Sequence, residues 1–265
     1  MHAAETTTAC RRDERRGKCE SMAHTPHSDS EPDVDAVLSR LLSDRECADA
    51  LELIESLPEA TRPDWLARVW MQVGALRPLR ALALAGRLVE PGLVAAVHQL
   101  LEAGLPPIAI PIGTYAELEG RSKDLARRGL ARDLAHCHLG LAEVAPRVDW
   151  RVAHVEHASA LAEQLDDATL ASLVIAYEAR LDAFFGEDED AHERVAAARA
   201  AGAAAIEPRA VALASLVAAV LTSDTAAWEQ ARADADALGL SASRFGLERR
   251  LSEAEADAGR DLGGA

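Results

Sequence analysis

Four of the nine histidines fall within 22 residues, and histidine is a common ligand of zinc and other transition metals. His154 and His157 are three residues apart, so they share one face of a helix. Glu143 follows His136 by seven residues and lies on that histidine's face. If the two helices are antiparallel neighbours, His136, Glu143, His154 and His157 can form a metal site between them.

The same region has features that argue against a metal. His136 and His138 are about 200° apart on a helix, so both cannot point into one site. There is no H-E-x-x-H pattern, and one Glu-x-x-His pair, Glu189 with His192, falls in an acidic helix start. A metal-dependent enzyme or metal sensor is therefore the second hypothesis for function, and we predict no cofactor.

Trp65 is the candidate anchor for a protein partner. It lies five residues before Trp70, so the two indoles cannot share one narrow helix face. Trp70 fits the apolar stripe of its helix, which leaves Trp65 at the edge or exposed beside Arg62 and Arg68. Tryptophan is enriched at the energetic centres of protein interfaces.

Other catalytic patterns are missing. The sequence has no G-x-G-x-x-G, no Walker A loop and no G-x-S-x-G elbow, so we predict no catalytic residue. The acidic run at residues 187–190 lacks the alternating ligands and the glycine of a calcium loop. Its position at the start of a helix has a simpler cause, because carboxylates there interact favourably with the helix dipole.

The composition predicts an all-α protein. Hydrophobic residues make up 49% of the chain and aromatic residues only 3%, with Ala and Leu dominant. Both are strong helix formers because they lose little rotamer freedom in a helix. Asparagine is absent and no Asp-Gly dipeptide occurs, so the strongest hairpin signals are missing.

The pattern along the chain divides it into five segments. A polar stretch without apolar periodicity predicts a disordered tail, in which Met22 is an alternative start. The three prolines of GLPPIAIPIG exclude a regular helix and favour an extended crossing. We predict a tail at 1–32, a helical module at 33–104, the crossing at 105–113, a helical-repeat module at 114–256, and a flexible tail at 257–265.

Capping residues and apolar stripes predict individual helices. Thr61 begins a capping-box pattern, Asp166 or Asp167 caps a later helix, and Asp224 caps another. Phe184 completes the apolar stripe of the helix that follows Asp167. Paired starts at 149, 188 and 224 resemble the spacing of α-solenoids, including tetratricopeptide-like ones, although an irregular bundle of antiparallel helix pairs fits equally.

The charge distribution limits the possible partners. The net charge of −16 lies in the helical body, where residues 151–265 carry 10 basic and 21 acidic side chains. Such a surface repels phosphate backbones, so we expect no nucleic-acid binding. The longest mostly apolar run, residues 210–221 with Ser215 in the middle, has 12 residues, too few for a membrane span. Arginine outnumbers lysine by 26 to 2, which we attribute to codon preference. The four cysteines show no paired spacing and favour a reducing cytoplasm.

These features favour a non-enzymatic helical scaffold that binds a protein or peptide. An acidic groove on the helices of residues 150–256 would suit a basic segment of the partner. A regulatory bundle that binds a small ligand near the crossing is the third hypothesis. The oligomeric state is left open.

Overall fold

The computed structural model describes residues 33–240 and Leu247, and most of that range is helical. The twelve helices are α1 (Val34–Ser43), α2 (Cys47–Glu55), α3 (Arg62–Val73), α4 (Leu76–Leu84), α5 (Pro91–Ala103), α6 (Tyr115–Arg127), α7 (Ala131–Val144), α8 (Val148–Leu165), α9 (Ala168–Phe185), α10 (Asp188–Ala204), α11 (Pro208–Leu221) and α12 (Thr225–Ala237). No strand occurs in the described range, so the all-α prediction is confirmed. The predicted tails at 1–32 and 257–265 lie outside it.

Neighbouring helices pack in pairs. Links of two or three residues, such as residues 186–187 between α9 and α10, force successive helices of the second half to run antiparallel. The central helix α9 contacts α7 and α11 as well as α8 and α10. This packing is consistent with a helical bundle or with a solenoid, and the repeat stays a prediction.

A continuous apolar core joins the two predicted helical modules. It extends from Leu38 in α1 to Trp228 in α12. A smaller cluster joins α3, α4 and α5 around Leu79 and Val97. None of the helices in the described range is both long and apolar enough to cross a membrane.

Helix caps separate correct local predictions from incorrect ones. The carboxylate of Asp167 accepts hydrogen bonds from the first amides of α9, and Asp224 caps α12 in the same way, as predicted. The capping box predicted at Thr61 is wrong. Thr61 makes no side-chain cap, and the Asp64 carboxylate instead accepts hydrogen bonds from the amides of residues 89 and 90.

Residues 104–113, called here the crossing segment, contain no helix, as three prolines require. The segment passes directly over α7 at Gly140. A Cβ atom at Gly140 would lie 2.6 Å from the carbonyl oxygen of Pro111, well inside normal contact distance. The absence of a side chain at this position therefore allows the close approach of the crossing segment to the helix.

This contact reverses the usual effect of replacing a helical glycine. We expect Gly140→Ala to destabilise the protein by about 1–3 kcal/mol, because the new methyl group overpacks against the Pro111 backbone. Gly120→Ala is the matched control. A Cβ at Gly120, also within a helix, meets nothing within 4 Å, so this change should stabilise by about 0.5–1 kcal/mol. Urea unfolding of both variants checks the opposite signs, and a stabilising Gly140→Ala would contradict the contact.

Candidate functional site

Arg132 on α7 is buried and donates a hydrogen bond to the crossing segment. Its Nε donates to the Asp167 carboxylate at 2.6 Å, and its Nη1 donates to the carbonyl oxygen of Pro106 at 2.7 Å. The side chains of Arg132 and Asp167 are 5% and 2% exposed. The buried carboxylate neutralises the guanidinium, which can then form a charge-assisted hydrogen bond to a backbone carbonyl.

Arg209, at the start of α11, makes an equivalent arrangement. Its Nε and Nη2 donate to both carboxylate oxygens of Glu207 at 2.7 and 2.5 Å. Its Nη1 donates to the carbonyl oxygen of Ile108 at 2.5 Å. Arg132 and Arg209, called here the arginine clamp, thus bind carbonyls two residues apart in the crossing segment. Carbonyls with that separation point to the same side of an extended chain.

His136, a predicted metal ligand, lies beside the clamp. Its Nδ1 is 2.9 Å from the carbonyl oxygen of Arg132, so Nδ1 carries the proton and Nε2 is an acceptor. Burial lowers the pKa of His136, and the nearby charges of Arg132 and Arg209 lower it further. Both His136 Nε2 and Arg132 Nη2 are buried, and neither has a hydrogen-bond partner within residues 33–240. The polar groups at the clamp are therefore incompletely satisfied.

Glu143, the second predicted ligand, belongs to another buried group. It accepts a hydrogen bond of 2.5 Å from the hydroxyl of Tyr177, which is fully buried in α9. Burial and the Glu143 charge raise the pKa of Tyr177 well above its usual value. Burial also lowers the pKa of Arg180 to about 10, opposed by the negative charge of Glu143. These three groups stabilise one another inside the core.

Three histidines, His138, His154 and His157, meet near the surface with the side chains of Tyr115 and Trp150. His138 Nδ1 lies 3.1 Å from His154 Nδ1, and the His154 Nε2 lies 3.2 Å from the hydroxyl of Tyr115. The rings of His138 and His157 stack with centroids 5.0 Å apart. Trp150 packs on Tyr115 with centroids 5.3 Å apart. The result is a chain of hydrogen bonds and ring contacts between α6, α7 and α8.

The structure therefore separates the four predicted metal ligands. His154 and His157 lie together but join His138, whereas His136 and Glu143 are engaged on the buried side of α7. The separation follows from the helical rotation that places His136 and His138 on opposite faces. Within the described part of the chain, no three His, Cys, Asp or Glu side chains are placed to hold a metal ion.

His138 and His154 favour the neutral state. Burial lowers the pKa of His138 to about 4, with additional lowering from His154 and His157. Burial also lowers the pKa of His154, and His157 adds to this effect. Protonating one member of the cluster disfavours protonation of the next, because like charges repel at these distances.

The low pKa of His138 predicts that acid destabilises the fold. The His138 ring takes up a proton near pH 6.5 in the unfolded chain but only near pH 4 in the folded chain. Its contribution to the free energy of unfolding is therefore fully present above pH 6.5 and is lost as the pH falls toward 4. Allowing for solvent screening of a partly exposed ring, His138 should contribute a loss of about 1–2 kcal/mol. His138→Gln should reduce this loss in urea unfolding at pH 7 and 4.5, and His192→Gln should not. If the wild type and both variants lost the same free energy of unfolding between pH 7 and 4.5, the lowered pKa of His138 would be contradicted.

Trp65, the predicted partner anchor, is only partly accessible. Its indole packs against the main core, and the Arg68 guanidinium lies over the ring at 5.3 Å from the centroid. Trp70 is also half-buried and contacts both apolar clusters. The structure thus uses Trp65 in internal packing, and partner binding through it stays a prediction.

The C-terminal end of α9 presents an apolar surface that the sequence pattern did not predict. Phe184 and Phe185 are 44% and 52% exposed, and their rings form an edge-to-face pair with centroids 5.7 Å apart. The placement of Phe184 in the core stripe was therefore wrong. The following residues at 187–190 are all acidic and exposed. We call Phe184, Phe185 and residues 187–190 the aromatic–acidic corner.

A cavity of about 430 Å³ lies where helices of the two predicted modules meet. Trp70, Leu130 and Leu134 are among its mostly apolar lining residues, and Gln164 adds an amide. The Gln164 side chain makes no hydrogen bond within the described range. The volume falls in the range of small-molecule sites, and the lining suits an apolar molecule with one polar group.

The buried arginines are the residues that sequence reasoning missed. Arg180 interrupts an apolar stripe, and Arg209 is the second residue of the most apolar helix. Those two positions were the available signals in the sequence. A lone charge in an apolar pattern indicates a buried, paired group, because an unpaired buried charge is very costly. Attributing the arginine excess to codon preference concealed this role.

Comparison of the chain with protein-family models, curated proteins and solved structures finds no match.

Proposed function

We propose that the protein is a non-enzymatic helical scaffold that binds a basic segment of a partner protein at the aromatic–acidic corner. The observation that carries the proposal is the exposed pair Phe184 and Phe185 directly beside four carboxylates. Large aromatic side chains that shed water on contact supply much of the energy of protein interfaces. Two adjacent phenylalanines on the surface are therefore natural anchors.

The charges beside the anchors specify the partner. Residues 187–190 carry four acidic groups, and the whole chain has a net charge of −16. Complementary charge accelerates encounter and selects against acidic partners. The proposed ligand is consequently a peptide segment in which Arg or Lys alternates with aliphatic residues, which pack on the two rings while the basic groups face the carboxylates.

A labelled peptide of alternating Arg and Leu tests the proposal by fluorescence anisotropy, with a Glu and Leu peptide for comparison. We expect the basic peptide to bind and the acidic one not to bind. Phe184→Ser/Phe185→Ser should weaken binding about tenfold or more, because both anchors are lost. Leu84→Ser is the matched control, since Leu84 is 83% exposed but lies far along the chain at the end of α4.

A second pair of variants tests the charges. Asp188→Asn/Glu189→Gln/Asp190→Asn should weaken binding and reduce its salt dependence. The control Glu229→Gln/Asp234→Asn/Asp236→Asn removes the same number of charges from the exposed face of α12. Equal loss in both triple variants would indicate general attraction to an acidic protein and would contradict a specific corner.

The apolar cavity supports a second candidate function, the binding of a small apolar ligand. Its lining combines aliphatic residues with the indole of Trp70 and the amide of Gln164. Thermal unfolding in the presence of a panel of aliphatic alcohols and amides tests it, because a ligand of the folded state raises the midpoint. Leu134→Trp should fill the cavity and abolish any such shift, and absence of a shift with the whole panel would eliminate this candidate.

A further inference from the structure

We propose that the arginine clamp is a binding site for the main chain of an extended, uncharged peptide, and that the crossing segment occupies this site as an internal ligand. Arg132 binds the carbonyl of Pro106 and Arg209 binds the carbonyl of Ile108. This second site is separate from the aromatic–acidic corner and does not depend on the function proposed there.

The clamp is constructed to recognise a backbone. Each guanidinium is oriented by its own buried carboxylate, Asp167 or Glu207, before it reaches the crossing segment. Such preorganised donors lose little side-chain entropy on binding. Because each arginine is neutralised by its carboxylate, the site favours a neutral peptide, in contrast to the basic peptide that suits the corner.

Apart from the two hydrogen bonds of the clamp, few polar contacts hold the crossing segment. Within the described range, none of the N–H groups of residues 105–113 donates to a backbone carbonyl. Half-buried Leu105, Ile108 and Ile110 provide apolar contact, whereas the prolines at 106 and 107 are exposed. Segments with few hydrogen bonds and few buried contacts open at low free-energy cost without unfolding the rest.

The clamp has hydrogen-bonding capacity that the crossing segment leaves unused. His136 Nε2 is a buried acceptor and Arg132 Nη2 a buried donor, and neither has a partner among the residues that the structure describes. Pro106 and Pro107 have no N–H to offer such an acceptor. A partner peptide with N–H groups at equivalent positions can supply what the internal ligand lacks, which favours exchange of one for the other.

The ligand class follows from these contacts. It is an extended segment with aliphatic side chains at two alternate positions, which pack where Ile108 and Ile110 now lie. Its carbonyls at two positions separated by one residue accept from the clamp. Proline is tolerated where an exposed position needs no N–H, and charged side chains facing the clamp are excluded by desolvation.

The test uses the full chain with residues 105–112 replaced by eight Gly and Ser residues. The probe is a fluorescein-labelled peptide of sequence GLPPIAIPIG, and the measurement is fluorescence anisotropy. We expect the replaced variant to bind at least about tenfold more tightly than the wild type. In the wild type, the tethered segment competes at an effective concentration on the order of millimolar. A folded replaced variant that binds no better than the wild type would overturn the proposal.

Dependence on the clamp provides the specificity control. Arg209→Lys in the replaced background keeps the charge beside Glu207 but removes the planar fork, and it should weaken binding about tenfold. Arg199→Lys is the matched control, because Arg199 is exposed on α10 and contacts Ser215. Equal weakening by both changes would overturn the assignment to the clamp.

A milder variant serves if the complete replacement does not fold. Ile108→Ser/Ile110→Ser removes two apolar anchors of the crossing segment and leaves the clamp intact, so it should show intermediate affinity for the labelled peptide. If it is folded and binds no more tightly than the wild type, the proposal is overturned. The Arg and Leu peptide is measured in parallel, so that failure of the corner and failure of the clamp are distinguished.

Discussion

Asp167→Ala is expected to lower the free energy of unfolding by about 3–5 kcal/mol, because one carboxylate has two structural roles. It pairs with Arg132 at 2.6 Å inside the protein and accepts hydrogen bonds from the amides of Thr169 and Leu170 at the start of α9. Its removal leaves the Arg132 charge uncompensated and the helix uncapped. Urea unfolding followed by circular dichroism measures the loss.

Asp224→Ala separates the two roles of Asp167. Asp224 caps α12 through the amide of Ala227, but it is exposed and pairs with no buried arginine. Its replacement should therefore cost about 1 kcal/mol, the usual value for an N-cap. Asp167→Asn keeps a capping oxygen while losing the charge, and should fall between these values. A loss from Asp167→Ala within about 1 kcal/mol of the Asp224→Ala loss would contradict a buried ion pair.

Glu143→Leu is the second change with a large expected effect, again about 3–5 kcal/mol. The carboxylate accepts the Tyr177 hydroxyl at 2.5 Å and lies close enough to Arg180 to oppose the lowering of its pKa by burial. Arg180 is only 3% exposed, so loss of Glu143 removes a nearby negative charge from a buried cation. Denaturant unfolding again gives the free energy.

A double-mutant cycle isolates the coupling between Glu143 and Arg180. Replacing both by Leu removes both charges, so the double variant should be more stable than the sum of the single losses by about 1–3 kcal/mol. The exposed pair Glu119 and Lys123, with 3.0 Å between Oε1 and Nζ, is the control, and its coupling should be about 0.3–0.5 kcal/mol. Coupling in the buried cycle no larger than in the surface cycle would refute mutual stabilisation.

Local signals in the sequence were sufficient for the helical elements and for some of their ends. The caps at Asp167 and Asp224 use amides two or three residues away, and Pro208 begins α11 because its missing N–H costs nothing in a first turn. The crossing segment is extended because its three prolines prevent a helix. Each of these outcomes depends on residues within one turn, which the sequence displays directly.

Local patterns gave wrong predictions where the same pattern was compatible with two different structures. Phe184 continues an apolar stripe at helical spacing, yet it directly follows Ala183, the last buried residue of α9, and is 44% exposed. Thr61 has a capping-box pattern, yet the carboxylate of Asp64 binds a different loop. Periodicity shows which face of a helix is apolar, but the neighbouring helix determines how far along that face the core extends.

The surroundings of the predicted metal ligands also depended on tertiary packing. The sequence placed His154 and His157 on one face, and helical rotation placed His136 and His138 on opposite faces. Only the packing of α7 against α8 and α9 decided that His138 joins the surface histidines and that Glu143 binds Tyr177. Two faces of one helix look alike in sequence until their neighbours are known.

By itself, the sequence determined that this protein is α-helical, acidic and crossed by one proline-rich extended segment, because those properties depend on composition and on neighbours within a few residues. The tertiary structure alone decided which charges are buried. Arg209 and Ile108 are 101 positions apart, yet one donates to the other at 2.5 Å. The charge of an arginine is hydrated on a surface, but in a core it needs a neighbouring counter-charge. Whether an arginine can be buried therefore depends on which helices pack around it.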